Sequence, residues 1–312
     1  MQPTKNSLGS IPIITALRKA QAIKETFVRR KSFLEYRSFI DRLELYLQEV
    51  GKEQLTLEEF TQREAVLYLD HVLLHRKINA LTYNNYKRVF RALFYVLIER
   101  EYIKVNPFAN IKNLKETQKK RKTFANNEKT IITQYLKEYD QPLLLAVCLC
   151  YYCAIRPAEL RRLKTGNINT RLGLIFMDGS QTKNKEVATI TIPALLLPLI
   201  ESYNLKSFPE GWYVFGKKTL LPDAEVCGRD TISKRHKKAV KVLHEYGYLK
   251  DIEGKTFYSW KDTAAKDLIE EGLNILELKQ HFRHKEIKTT QRYLQMYNGV
   301  NPSIRDMKSK IF

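Results

Sequence analysis

The sequence predicts a two-domain, mainly α-helical chain with one small β-hairpin, and three observations lead there. Long stretches repeat apolar residues at three- and four-residue spacing, the period of a helix with one buried face. Two short runs, Leu174–Met177 and Val187–Pro193, are aliphatic or alternate β-branched residues with others, and they bracket a polar tip. Between the helical halves lies Lys115–Thr123, a tract with five cations and no apolar residue, which reads as an exposed linker. With 312 residues, 44% of them hydrophobic, the chain can bury a separate core on each side of that linker.

Residues 1–26 mix Pro, Ser, Gly and Lys with weak periodicity and read as a basic N-terminal arm holding a short helix over Thr15–Glu25. Residues 27–113 read as an all-helical unit. Phe33, Tyr36, Phe39, Ile40, Leu43 and Leu47 mark its first helix, and Thr61–His75 and Thr82–Arg100 repeat the pattern until Asn106-Pro107 breaks it. Its exposed faces are expected to carry Lys77, Lys87, Arg88, Arg91 and Arg100. The linker spans 114–124, and a second unit spans 125–297. It begins with helices over Asn126–Tyr139 and Gln141–Tyr152, and Pro157 opens a short helix directly after Arg156. The two strands follow, with Gly179–Lys185 as the hairpin tip that presents Lys183 and Lys185. Helices resume over Ala194–Tyr203, Arg229–Glu245, Ser259–Glu271 and Ile275–His281, with a last one over Thr289–Tyr297. Residues 298–312 form a tail with Ile304, Met307, Ile311 and Phe312 as apolar anchors.

A net charge of +20 is more than solubility requires and points to a polyanionic partner, with nucleic acid first. A membrane surface fits less well, because the basic residues are spread along the chain and not segregated on one helix face. No segment reaches the length of a spanning helix, and the N-terminus has no long apolar run beside its charges, so a cytoplasmic, nucleoid-associated protein is expected. Cys148, Cys150 and Cys153 sit in an apolar run as small buried hydrophobes, and His281 and His284 lack the cysteine spacing of a zinc site. No metal and no cofactor are expected.

The stretch with most chemical content is His284–Tyr293, where a histidine precedes a tyrosine by nine positions in a basic helical segment. A phenol that attacks a phosphodiester needs cations around the phosphate, because negative charge builds on its oxygens in the transition state. Arg156, Lys183, Lys261 and His284 are candidates to supply them. Each has an ordinary structural reading as well: Tyr293 as packing, Arg156 as a helix-start residue, Lys183 as a turn residue. The ordered set outweighs those separate readings.

That set resembles the tyrosine recombinase, or phage-type integrase, family over nearly the whole length. Ala154-Ile-Arg156-Pro-Ala-Glu159-Leu160 is similar to the family's first arginine box. The hairpin lysine matches Lys183, with Lys185 as second choice, and His284 and Tyr293 match the family's histidine and tyrosine. One box departs: the family's His-x-x-Arg, 23 positions before the histidine, is here Tyr258-Ser-Trp-Lys261. Lysine keeps the charge but loses the guanidinium fork, and tyrosine is a poor base at neutral pH.

The resemblance implies a two-domain architecture, with a helical core-binding domain and a mixed α/β catalytic domain. It also implies site-specific cleavage and rejoining of double-stranded DNA for a mobile element, through a covalent 3′-phosphotyrosine. Tyr293 would attack, Arg156 and Lys261 would hold the non-bridging oxygens, His284 would add a hydrogen bond, Lys183 would protonate the departing oxygen, and Tyr258 would orient one of these groups. The partners implied are DNA and further copies of the chain, as a tetramer on two sites, with accessory DNA-bending or directionality proteins as further candidates; the tail either exchanges between protomers or docks on its own chain. The alternatives are a DNA-binding member with impaired cleavage, prompted by the altered box, and a related enzyme that forms hairpin ends or relaxes supercoils.

Overall fold

The computed structural model of the chain describes residues 11–116, 122–182 and 186–294. The chain divides into two compact units, residues 1–119 and 120–312.

In the first unit, α1 (Ile13–Glu25), α2 (Arg30–Glu49), α3 (Gln62–His75) and α4 (Ala80–Ile98) pack around one core. The α4 helix supplies its centre: Tyr86, Phe90, Leu93, Phe94 and Leu97 recur at helical spacing and are all buried. Phe90 stacks on Phe108 with centroids 5.3 Å apart, which ties the segment after α4 back onto the helix. Burying side chains of this size stabilises by roughly 1.5–3 kcal/mol each.

Two expectations for this unit need correction. Residues 13–25 are not part of an arm: Ile13, Ala16, Leu17, Ala20 and Gln21 form a buried stripe against the core. Ala16 and Ala20 keep that face low, and Gln21 Nε2 donates to the Phe33 carbonyl at 3.1 Å. Residues 1–10 lie outside the described residues. Lys77, Arg88, Arg91 and Arg100 are exposed as expected, but Lys87 is buried and its Nζ donates to the Ile111 carbonyl at 2.7 Å. One turn earlier, Asn84 both accepts from Leu114 N–H and donates to the Leu114 carbonyl, each at 2.9 Å. The beginning of the expected linker is therefore clasped onto α4.

The second unit begins where Phe124 enters a core, its ring tilted against that of Trp260 with centroids 4.5 Å apart. Its helices are α5 (Asn126–Tyr139), α6 (Gln141–Tyr152), α7 (Pro157–Leu160), α8 (Leu197–Ser202), α9 (Thr231–Glu245), α10 (Ser259–Glu270), α11 (Ile275–His281) and α12 (Ile287–Leu294). The α6 helix is apolar on every side and is buried from Leu143 to Cys150, which makes it the hub of the unit. Its cysteines pack as hydrophobes, and burial pushes the thiols of Cys148, Cys150 and Cys153 up to about 12. The strands β1 (Ile168–Asn169), β2 (Leu174–Met177) and β3 (Ala188–Thr191) form an antiparallel sheet in that order. Ile175 opposite Ile190 sets the register and turns one face of the hairpin into the core. Among the described residues no helix is long and apolar enough to cross a membrane.

Candidate active site

The site is assembled from chain reversals at the ends of α6 and α11. After α6, Ala154 adopts a left-handed conformation (φ 49°), and the chain then starts α7 with Arg156 as the residue before its first turn and Pro157 in that turn. Glu159 reaches back to accept the Arg156 backbone N–H at 3.0 Å. After α11, Arg283 is also left-handed (φ 51°), which turns the chain so that His284 lies beside the α7 corner. A left-handed residue other than glycine costs about 1–2 kcal/mol, and two such residues meet here.

Glu159 is the electrostatic centre of the cluster. Only 1% exposed, it takes Arg156 Nη1 on Oε1 and Arg283 Nη2 on Oε2, both at 2.9 Å. Burial pushes its carboxyl up, but the Arg283 and Arg156 guanidiniums outweigh burial and hold it below the usual range. Arg156 Nη2 also donates to the carbonyls of Phe282 and Arg283 at 3.4 Å, and Arg283 Nη2 donates to the Ala154 carbonyl at 3.2 Å.

His284 is buried, with Nδ1 2.9 Å from the Thr290 hydroxyl. Burial, then the positive charges of Lys261, Arg156, Arg292 and Arg283, lower its pKa to about 4, so it is a neutral imidazole at pH 7. In the tautomer with the proton on Nε2, Nδ1 accepts from the Thr290 hydroxyl and the Nε2–H is left to donate to an anion. The Tyr293 ring lies nearly parallel to that imidazole, 6.1 Å away at 11°, and meets Phe282 edge-on at 5.5 Å. Tyr293 thus packs into the small cluster of Ala154, Ala264, Ala265, Leu278 and Phe282.

The structure brings together Arg156, His284 and Tyr293, which the sequence separates by up to 137 positions. It places Lys261 differently from expectation. Lys261 is 0% exposed, its Nζ donates to the Ala154 carbonyl and lies 4.6 Å from the Phe282 ring centroid, and burial, then Arg156 and Arg283, lower its pKa well below the ordinary lysine value. It supports the Ala154 turn from beneath and does not open onto the cleft, so a direct grip on phosphate oxygens does not fit its position. Tyr258 is half-buried at the start of α10, where its carbonyl accepts the Lys261 N–H at 3.0 Å. Lys183 and Lys185 lie outside the described residues, as does the tail 298–312.

A cleft of about 380 Å³ opens over this cluster, lined by Arg156, Glu159, Arg283 and His284, and on its far side by Thr182 and Glu186 of the hairpin. Thr182 Oγ1 donates to the Glu186 carbonyl at 2.8 Å, closing the base of the tip, and Glu186 pairs with Lys285 at 2.5 Å. Sequence reasoning gave Glu159 no task of its own and held Arg283, with Lys185, only as an alternative second phosphate contact should Lys261 not be one. The available signal was an arginine directly before His284, where the chain must reverse between two helices.

The sequence pattern of the phage integrase family matches residues 109–299, more than half of the chain. The chain belongs to the phage integrase family. This integrase-family chain is 28% identical to tyrosine recombinase XerA of Thermococcus kodakarensis over 152 residues, 49% of the chain and 50% of that relative. The corresponding protein of Pyrococcus furiosus matches at 28% over 49% of each, so the chain spans about half the length of these two relatives. Tyrosine recombinase XerC of Leptospira interrogans is 22% identical over 84% of the chain and 86% of its own length. Among solved structures, the Tn1549 transposon integrase in complex with a circular intermediate DNA superposes with a TM-score of 0.74 at 16% identity, covering 91% of this chain and 95% of that one. A lambda integrase dimer bound to a COC′ core site gives 0.72 at 19% identity, covering 95% and 80%. At such identities the likeness is one of fold: mainly helical, with the small antiparallel sheet.

Proposed function

We propose that this integrase-family protein cleaves and rejoins double-stranded DNA at specific sites through a covalent 3′-phosphotyrosine on Tyr293, in the service of a mobile element. The observation that carries the reading is that Arg156 and His284 line one cationic cleft, with the Tyr293 ring packed directly behind His284, within a chain of this family. Negative charge that builds on the scissile phosphate would meet guanidinium from Arg156 and the Nε2–H of neutral His284. A metal is not needed for that task, since fixed cations perform the charge neutralisation. Thr182 and Glu186 line the cleft on either side of the hairpin tip, which supports a role there for Lys183, with Lys185 as second choice, in protonating the departing 5′ oxygen. Bond energy is kept in the phosphotyrosine link, so rejoining needs no nucleotide cofactor.

The family resemblance supports assembly as a tetramer on two DNA sites, and the solved neighbours include a lambda integrase tetramer bound to a Holliday junction. Exposed cations in each unit, among them Arg88, Arg91, Lys234, Lys237 and Lys238, suit phosphate contacts along the duplex.

The test uses duplexes tiled across the DNA that flanks the gene, each nicked so that the cleaved fragment diffuses away. The parent protein is expected to leave a protein–DNA adduct that survives denaturation, and Tyr293→Phe should bind the same duplex but leave none. An adduct of parental yield in Tyr293→Phe would refute the assignment of the nucleophile. The burial of Lys261 is the one observation that favours a second reading, DNA binding without cleavage, and the same assay separates the two.

A further inference from the structure

Lys261 occupies the family's second arginine position, yet its amine is committed to the Ala154 carbonyl, wholly buried and absent from the cleft lining. A second cation does open onto the cleft. Arg283 lines it beside Arg156 and His284, with a partly exposed side chain, and comes from the turn between α11 and α12. Resting on the cleavage reading above, we propose that Arg283 is a catalytic residue of this chain, the second guanidinium that grips the scissile phosphate, in place of Lys261.

Three observations carry the assignment. The first is spacing: Arg156 and Arg283 each hold one oxygen of the Glu159 carboxylate at 2.9 Å, so the two guanidiniums are already set apart by the span of a two-oxygen anion. A phosphate with two non-bridging oxygens presents a similar span and can sit on the cleft side of the same pair. The second is backbone conformation. Arg283 holds φ at 51°, where glycine would be unstrained, so a large charged residue is kept at a position that disfavours any side chain. The third is convergence of support, since Lys261 and Arg283 both donate to the carbonyl of the other left-handed residue, Ala154. Lys261 is then a positioning residue that fixes the turn against which Arg283 is braced.

In the step itself the Tyr293 Oη–P bond forms and the P–O5′ bond breaks. The phenol gives up one proton and the departing O5′ gains one, while Arg283 transfers none and meets charge on one non-bridging oxygen.

The test compares parent and Arg283→Gly on the nicked duplex that yields the parental adduct, made with a scissile phosphodiester and with each of the two methylphosphonate diastereomers, in which one charged oxygen becomes a methyl group. Arg283→Gly is expected to cleave the phosphodiester about 10²-fold more slowly, the scale for loss of one transition-state donor. On one methylphosphonate diastereomer its rate should come within about three-fold of the parent's, because the oxygen that Arg283 met is gone. Cleavage of the phosphodiester within three-fold of the parent would overturn the assignment, and so would an equal loss on all three substrates, the signature of a merely structural clamp on Glu159. If Arg283→Gly does not melt cooperatively, Arg283→Lys, which keeps a charge beside Glu159 but lacks the fork, is judged by the same comparison. A parent that leaves no adduct on the phosphodiester overturns the cleavage reading and this assignment with it.

Discussion

His236 shows how a single side chain ties the fold of the second unit to pH. Buried between α9 and α10, its Nε2 accepts the Trp260 indole N–H at 2.9 Å, so the ring is neutral there, and burial lowers its pKa to about 4. Between pH 6.5 and 4 the unfolded chain takes up a proton at this residue while the folded chain does not. Stability is therefore full above pH 6.5 and falls as the pH drops toward 4, by on the order of 3 kcal/mol for this residue. His284, lowered for a similar reason, acts in the same direction. Urea unfolding at pH 7 and pH 4.5 is expected to show that His236→Gln, which can still accept from Trp260, loses clearly less stability over this range than the parent. Equal losses would mean that His236 is not held neutral. That Arg156, His284 and Tyr293 lie close together was legible, because their spacing and local wording survive in one dimension. Arg283 stood in the sequence only as an alternative to Lys261, beside Lys185, since what singles it out is the sign of φ and a carboxylate it shares with a residue 127 positions away.

The clasp on α4 carries the argument at the scale of elements. Lys87 and Asn84 use their polar atoms on the backbone of residues 111–114, satisfying carbonyls and an N–H that would otherwise compete for water. Lys87→Met is expected to lower the stability of the first unit by about 1–2 kcal/mol in urea unfolding, with DNA affinity within two-fold of the parent at a temperature where both are folded. Unchanged stability with a large loss of affinity would show instead that Lys87 is a phosphate contact. The long helices were legible because their faces are lined by Leu, Phe and Tyr. The α1 helix was taken as part of an arm because three of its five stripe positions are Ala16, Ala20 and Gln21, which give little hydrophobic signal. The segment between α8 and α9 was also opaque. It is held by isolated bridges such as Tyr213 with Asp223, and a Cβ at Gly216 would stand 2.4 Å from the Leu221 carbonyl oxygen, a close approach that no periodicity announces.

For the whole molecule, the charge of +20 points to a polyanionic partner, and the ordered motifs foretold the family that the sequence pattern over residues 109–299 establishes. What composition could not show is how the charge is divided. Arg235 is spent on a two-pronged pair with Asp140, at 2.7 and 2.8 Å, and Lys261 is buried, whereas Arg156 and Arg283 line the cleft. The central claim is that the phenol of Tyr293 becomes the phosphate carrier, and the most direct measurement is tandem mass spectrometry of the denatured adduct after nuclease trimming. The account predicts a nucleotide 3′-phosphate on Tyr293. The same mass increment on Tyr297, on Tyr258 or on any other residue would contradict it.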